Sequence, residues 1–213
     1  MTDTSPPPAA RSSPSTARNR QSILDVLRRH LPPRGLVLEI AAGAGEHAVF
    51  FAGARPGLTW LPTDPDPQAV ASIAAWREHS GLQNLLPPQI LDAADPDAWP
   101  KGPADSVVNI NMIHISPWAV TEGLMTGAGR ILARGGVLFL YGPYFEAEVE
   151  TAPSNLAFGA SLKQRNPAWG LRKREDVVAL ASCHGLQLAE RVIMPANNLV
   201  LVFRRVQIPQ PNL

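Results

Sequence analysis

Apolar positions along the chain change their period repeatedly, and each change marks an element. From Arg18 to Leu31 the residues Ile23, Leu24, Val26, Leu27 and Leu31 fall near helical spacing, and Pro32-Pro33 stops the run, which predicts an amphipathic helix. GLVLEIA at 35–41 then reads as a buried strand, and GEHAVFFAGA at 45–54 as the helix after a glycine loop. The pattern repeats. LTWLPTD is a strand ending in Asp64, PQAVASIAAWREHSG a helix ended by Gly81, and LLPPQILDAAD a short strand region ending in Asp92. ADSVVNINMIH is an apolar strand that leaves Asn111 and His114 at or beyond its end. PWAVTEGLMTGAGRIL is a helix with Pro117 near its start, and GGVLFLYGPY a further strand.

Alternation this regular predicts an α/β fold built on a doubly wound, mostly parallel sheet. The remainder reads as a loop-rich segment from Phe145 to about Gly170, a helix RKREDVVALASCHG, and two strands joined at Pro195 to Asn198 as a terminal hairpin. Residues 1–17, rich in Pro, Ser, Thr and Ala, read as a disordered tail, residues 18–205 as one domain, and 206–213 as a C-terminal tail.

Composition narrows the function classes. A chain of 213 residues with 45% hydrophobic residues fits one domain with a real core, and its apolar runs fall far short of the ~20 residues that cross a bilayer. A net charge of +1 gives no broad electrostatic reason to expect nucleic acid. The one cysteine, Cys183, excludes an internal disulfide and reads as a small buried hydrophobe. The histidines show no ligand spacing, so no metal is expected. The expected address is cytoplasmic, with no membrane partner.

The chemistry concentrates in LEIAAGAGEH, Leu38 to His47. Ligands of open parallel sheets bind outside the carboxyl ends of the strands, where Ala41, Ala42, Gly43, Ala44 and Gly45 give a backbone clearance. The loop is not a P-loop, since no Gly-Lys-Ser/Thr follows, and A-A-G-A-G-E does not match G-x-G-x-x-G, which leaves a nicotinamide dinucleotide second. Glu39 repels a pyrophosphate and suits an ammonium group instead. Asp64 ends the second strand about 20 residues past the loop, where a carboxylate accepts ribose hydroxyls. Asp92 is placed to accept from an adenine amine, with Ala93 offering a backbone donor. Each Asp also serves as an ordinary helix cap or turn former.

Taken together, VLEIAAGAGEHAVFFA, PTDPD, NINMIHISPW, LYGPY, SNLAF, NPAWGLR and MPANN, with RNRQSIL at Arg18 to Leu24, resemble the class I S-adenosylmethionine-dependent methyltransferases and, more closely, the methyltransferase-like family DUF938 (UPF0585). The resemblance covers about Ala17 to Arg205. It implies a Rossmann-like, seven-stranded sheet with an antiparallel last strand, and S-adenosylmethionine as cofactor. Ala41 departs from the broader superfamily's first loop glycine but matches this family, whereas Gly159, after SNLAF, stands where an acidic residue is expected. The resemblance also implies that the segment before the first helix folds over the cofactor, with Arg20 as a partner for its carboxylate.

A sulfonium cofactor leaves the protein to align an acceptor and to remove its proton. His114 and Tyr144 are the catalytic candidates. Asn111 is the candidate at the amino-acid end of the cofactor, while Tyr141, Asn155, Phe158, Trp169 and Asn197 are candidates for the acceptor pocket. His47 reads as packing near the cofactor or capping the turn, and Trp60, Trp76, Trp99 and Trp118 as packing residues. The reading that follows is methyl transfer to a small-molecule acceptor, with a non-catalytic nucleoside or protein binder, or an NAD-dependent oxidoreductase, as alternatives.

Overall fold

The computed structural model of the chain describes residue 7 and residues 9–206. The first helix, α1 (Pro14–His30), begins four residues before the expected Arg18, because Ser13 is extended and Pro14 at the first turn is preset for the helix. It buries Ile23, Leu24, Val26 and Leu27 as one stripe, and Arg28, Arg29 and His30 complement the dipole at its last turn. The expected tail over 1–17 lies partly outside the described residues; of its remainder, Arg11 and Ser13 are hydrogen-bonded to the domain and Thr16 is buried in α1.

Alternation then proceeds as β1 (Gly35–Ile40), α2 (Glu46–Ala54), β2 (Leu58–Asp64), α3 (Pro67–Ser80), β3 (Gln89–Ile90), β4 (Ala104–Ile110), α4 (Trp118–Ile131) and β5 (Leu132–Gly142). The segment expected to be loop-rich holds β6 (Tyr144–Phe145), a helix α5 (Pro153–Arg165) and β7 (Arg172–Lys173), before α6 (Arg174–Cys183), β8 (Leu186–Met194) and β9 (Asn198–Arg205). Helix α5 escapes the periodicity reading because it buries only Asn155, Gly159 and Leu162, so no apolar stripe announces it. The third strand is shorter than expected, and Asp92 lies two residues past it.

Seven strands form one sheet in the order β3-β2-β1-β4-β5-β9-β8, parallel throughout except for β9, which runs antiparallel to both neighbours. β1 leads outward to β2 on one side and pairs with β4 on the other, so the order reverses between β1 and β4. A crevice at the carboxyl ends of those two strands is the place such a sheet offers a ligand. Both faces are covered. Leu38, Ile40, Leu138 and Leu140 pack with Leu124, Met125 and Ala128 of α4 and with α6, while Val37, Val108, Phe139 and Val202 pack with Ile23, Leu27, Ala48 and Phe51 of α1 and α2. Burial on both faces explains why these strands read as continuous apolar runs rather than alternating ones.

Candidate active site at the strand ends

Beyond Ile40 the chain turns through left-handed backbone at Ala41 (φ 55°), Gly43 (φ 60°) and Gly45 (φ 93°). The turn is pinned from below. Asn109 Nδ2 donates to the Ile40 carbonyl at 2.9 Å, Ala42 N to the Thr63 carbonyl at 2.8 Å, and Ser72 Oγ to the Ala44 carbonyl at 2.8 Å. The two glycines do different work. A Cβ on Gly43 would meet nothing within 4 Å, so this residue opens the loop, whereas a Cβ on Gly45 would lie 2.9 Å from the Ile73 Cα, so this one lets α2 pass α3.

Asp64 closes the same crevice. Its Oδ2 accepts from Gly43 N and its Oδ1 from Asp66 N, each at 2.9 Å. Burial pushes this carboxyl above the usual range while the two backbone donors oppose the shift. A carboxylate has about four acceptor positions, so two remain for a ligand.

The other expected cofactor residues are placed differently. Glu39 does not reach the loop: it is 1% exposed, and its Oε2 accepts from Trp60 Nε1 at 2.6 Å. The cause is register, since Glu39 is still inside the ladder, opposite Pro62 and Val108, and its side chain joins the Trp60 layer. Burial lifts its carboxyl to about 7 against the Trp60 hydrogen bond. Arg20 is exposed, with its guanidinium 4.7 Å from the Phe50 ring centroid on α2. Asp92 is exposed and caps a turn through Ala94 N at 2.9 Å; Ala93 is buried, and its carbonyl accepts from Trp99 Nε1. Asn111 sits at φ 65° just past β4, its N–H bonded to the Tyr141 carbonyl at 2.8 Å.

Of the residues expected at an acceptor, His114 is buried, its ring packed edge-on against Phe158 at 5.5 Å between centroids. A Cβ on Gly142 would lie 3.2 Å from its Nδ1, so the ring occupies the space beside the last residue of β5. Among the described residues neither ring nitrogen has a hydrogen-bond partner. Burial, helped by the Arg172 charge, brings this imidazole down to about 4.

Tyr144, Asn155 and Asn197 line one cavity of about 160 Å³, together with Glu146, Arg191 and Leu199. Asn155 Nδ2 donates to the Asn197 carbonyl at 2.9 Å and ties α5 to the hairpin turn, where Ala196 and Asn197 are both left-handed. Burial raises the Tyr144 phenol. Three expected pocket residues stand apart from this cavity, Phe158 lying instead against His114. Tyr141 lies on the α1 side of the sheet beside Asn19, and Trp169 carries the Arg165 guanidinium at 5.2 Å. Gly159 is buried, and a Cβ on it would lie 3.4 Å from the Leu171 side chain and 3.9 Å from the Phe145 ring, an apolar seat unsuited to an acidic residue.

Two contacts between distant segments carried no sequence signal. Asn19 Oδ1 contacts His47 Nε2 at 2.9 Å, and so joins α1 to the turn after the glycine loop. Glu146 binds Arg174 at 2.7 Å and Arg191 at 2.5 Å, partners separated widely along the chain. Cys183 proves exposed rather than buried. Among the described residues no cluster of side chains could hold a metal ion, and no helix is long and apolar enough to cross a membrane.

A family model described as a protein of unknown function, DUF938, matches residues 10–205. The chain belongs to the DUF938 family. This member also matches the tRNA (guanine-N(7)-)-methyltransferase of Rhodopseudomonas palustris (strain BisA53), at 36% identity over 38% of this chain and 31% of that protein. The corresponding protein of strain BisB5 is 29% identical over 49% of this chain and 43% of that protein. The matched stretch thus spans less than half of these relatives.

Among solved structures, an O-methyltransferase family protein from Burkholderia thailandensis superposes with a TM-score of 0.77 at 18% identity, covering 90% of this chain and 57% of that one. Human N-acetylserotonin methyltransferase in complex with SAM superposes with a TM-score of 0.72 at 17% identity, covering 91% and 53%. This DUF938 chain therefore has the class I methyltransferase fold, over little more than half the length of those neighbours.

Proposed function

We propose that this protein is an S-adenosylmethionine-dependent methyltransferase acting on a small-molecule acceptor. The observation that carries the reading is the junction of Gly43 and Asp64: an open loop whose backbone N–H is bonded to a carboxylate that keeps two acceptor positions. The residues present fit the cofactor. Asp64 would hold the ribose hydroxyls, the 41–45 backbone and Asn111 the amino-acid end, and the Asp92–Ala93 turn the adenine edge. Glu39 is not part of this set, because its carboxyl is committed to Trp60. When bound, the sulfonium supplies an electrophilic methyl group.

The chain's own task is then orientation and proton removal. His114 is neutral at physiological pH because burial disfavours its charged form, and among the described residues neither ring nitrogen has a hydrogen-bond partner, so it can take a proton from an acceptor. Tyr144, Asn155 and Asn197, on the cavity of about 160 Å³, supply hydrogen-bonding groups to a compact acceptor. Supporting a small acceptor over nucleic acid is the net charge of +1, which gives no broad electrostatic attraction for a polyanion. The named relatives make tRNA the competing acceptor. A cytoplasmic address is part of the same reading.

Isothermal titration with S-adenosylmethionine and, in parallel, NAD tests this. Wild type is expected to bind the former, and Asp64→Ala and Gly43→Val, confirmed folded by circular dichroism, to lose it. Folded wild type that binds neither leaves a binder of another ligand, and binding of NAD alone leaves the oxidoreductase. Methyl incorporation into bulk tRNA, but into no small hydroxyl, amine or thiol, would overturn the small-acceptor reading.

A further inference from the structure

A short segment, residues 166–172, makes most of the hydrogen bonds that hold the turn carrying His114 from outside. Gly170 donates its N–H to the His114 carbonyl at 3.0 Å. Arg172 donates Nε to the Ile113 carbonyl at 3.3 Å and Nη2 to the Ser116 carbonyl at 2.7 Å, so the carbonyls flanking His114 on both sides share one guanidinium. The same Nη2 reaches back to the Ala168 carbonyl at 2.8 Å, which ties the segment to itself, and the guanidinium lies 5.8 Å from the Trp118 ring centroid at the start of α4. Between Asn111 and Pro117 the backbone has little else: Asn111 N to the Tyr141 carbonyl and Ile115 N to that of Met112.

We propose that Arg172 is a positioning residue for His114, clamping the turn between β4 and α4 so that the imidazole stays seated against Gly142 and Phe158. The inference rests on the role given to His114 above. A planar guanidinium with several donors can span two carbonyls at once, and a lysine ammonium on a flexible stem cannot hold the same fork. The groups shown against the ring are Gly142 from β5 and Phe158 from α5, both uncharged, with the Asn111 amide also beside Gly142 and Arg172 the charged neighbour that acts on the ring. Charge and clamp can therefore be separated by substitution.

The test is NMR on the full chain labelled in its histidine rings, with the His114 signal assigned through His114→Gln. In Arg172→Met both clamp and charge are gone, so the ring signal is expected to shift and broaden and the titration midpoint to rise. In Arg172→Lys the charge remains: the midpoint should stay near that of wild type while the altered ring signal persists. Unchanged His114 signals in folded Arg172→Lys and Arg172→Met would overturn the proposal; should the Met variant fail to fold, the Lys variant decides alone. Because no methyl acceptor is used, the result is separate from the catalytic reading, which fails instead if His114→Gln transfers methyl groups at the wild-type rate.

Discussion

The two halves of the crevice are built on opposite principles. On the β1–β2 side the polar groups are already committed: Asp64 accepts two backbone donors, Asn109 holds the Ile40 carbonyl, and Ser72 holds that of Ala44. On the β4–β5 side the groups that matter are unpaired. His114 and Tyr144 are buried without a side-chain hydrogen bond among the described residues, and they are covered by α5, a helix with three buried residues. One side is a preformed mould in backbone. The other is an assembly of side chains from distant segments, held by contacts such as Arg172 to Ser116 and Asn155 to Asn197. A ligand shared by many proteins suits the first construction, and a ligand particular to one suits the second.

If the mould is backbone, its sharpest failure is a glycine. Gly45 combines φ 93° with a Cβ position 2.9 Å from the Ile73 Cα, so Gly45→Val meets strained backbone and a clash that no rotamer relieves. We expect a loss of about 3 kcal/mol or more in chemical denaturation, and loss of cofactor binding with it. Gly43→Ala has the strain at φ 60° without the clash, so it should cost less stability yet still intrude on the open side of the loop. Equal destabilisation by the two would show that the loop is not divided between opening and packing as described.

Asp64→Asn is the next largest effect. The amide keeps the size but offers a single acceptor oxygen, so either Gly43 N or Asp66 N loses its partner and the ligand loses acceptor positions. S-adenosylmethionine should bind about 10- to 100-fold more weakly by titration calorimetry, in line with one or two lost hydrogen bonds to a charged group. An affinity within a factor of about two of wild type would remove Asp64 from the site.

The same contrast governs how much was readable from sequence. Gly43, Gly45 and Asp64 lie at fixed offsets from strand ends, where local pattern reads well, and regular alternation predicts the doubly wound sheet that the strand order shows. Glu39 shows the limit of that logic. It was close enough to the loop to be assigned to it, but whether a residue is the last of a strand or the last but one decides which way it points, and boundaries are what periodicity reads least well. On the acceptor side the motif NPAWGLR was visible while the purpose of Arg172 was not, since its partners Ile113 and Ser116 lie far off along the chain. Helix α5 was hidden for a related reason: a helix that buries only Asn155, Gly159 and Leu162 has no amphipathic signature.

The buried Glu39 gives a pH-dependent prediction. Its carboxyl is raised to about 7 in the native state, so native protein stays protonated where the unfolded chain has already ionised. The stabilising contribution is complete below the unfolded pKa near 4.5 and is lost as pH rises through about 7. Glu39→Gln keeps an acceptor for Trp60 Nε1 and removes the titration. Relative to wild type, the variant should gain about 3 kcal/mol more at pH 8 than at pH 4.5 in urea unfolding, with cofactor affinity changed less than about threefold. His47 and His114, each lowered to about 4, act in the opposite sense: their contribution is present above 6.5 and is lost as pH falls through 4, in wild type and variant alike, so it cancels in the difference. A constant difference across that range would place the Glu39 carboxyl in contact with water.

The smallest effect on stability belongs to Phe158, and it separates the two sides most directly. The side chain is 39% exposed, so Phe158→Ala should cost no more than about 1 kcal/mol. Yet its ring is part of what keeps water from His114, whose lowered value is due chiefly to burial. Removing it should raise the His114 midpoint from about 4 toward 6.5 in an NMR titration, while His47, stacked on Phe51 and bonded to Asn19 on the far side of the crevice, should not move. A joint shift of both histidines would mean that opening α5 loosens the whole crevice, and that the mould and the assembly are one cooperative unit. A shift of His114 alone would mean that the acceptor side opens over a cofactor loop that stays rigid, the order of events in which a cofactor is held while acceptors exchange.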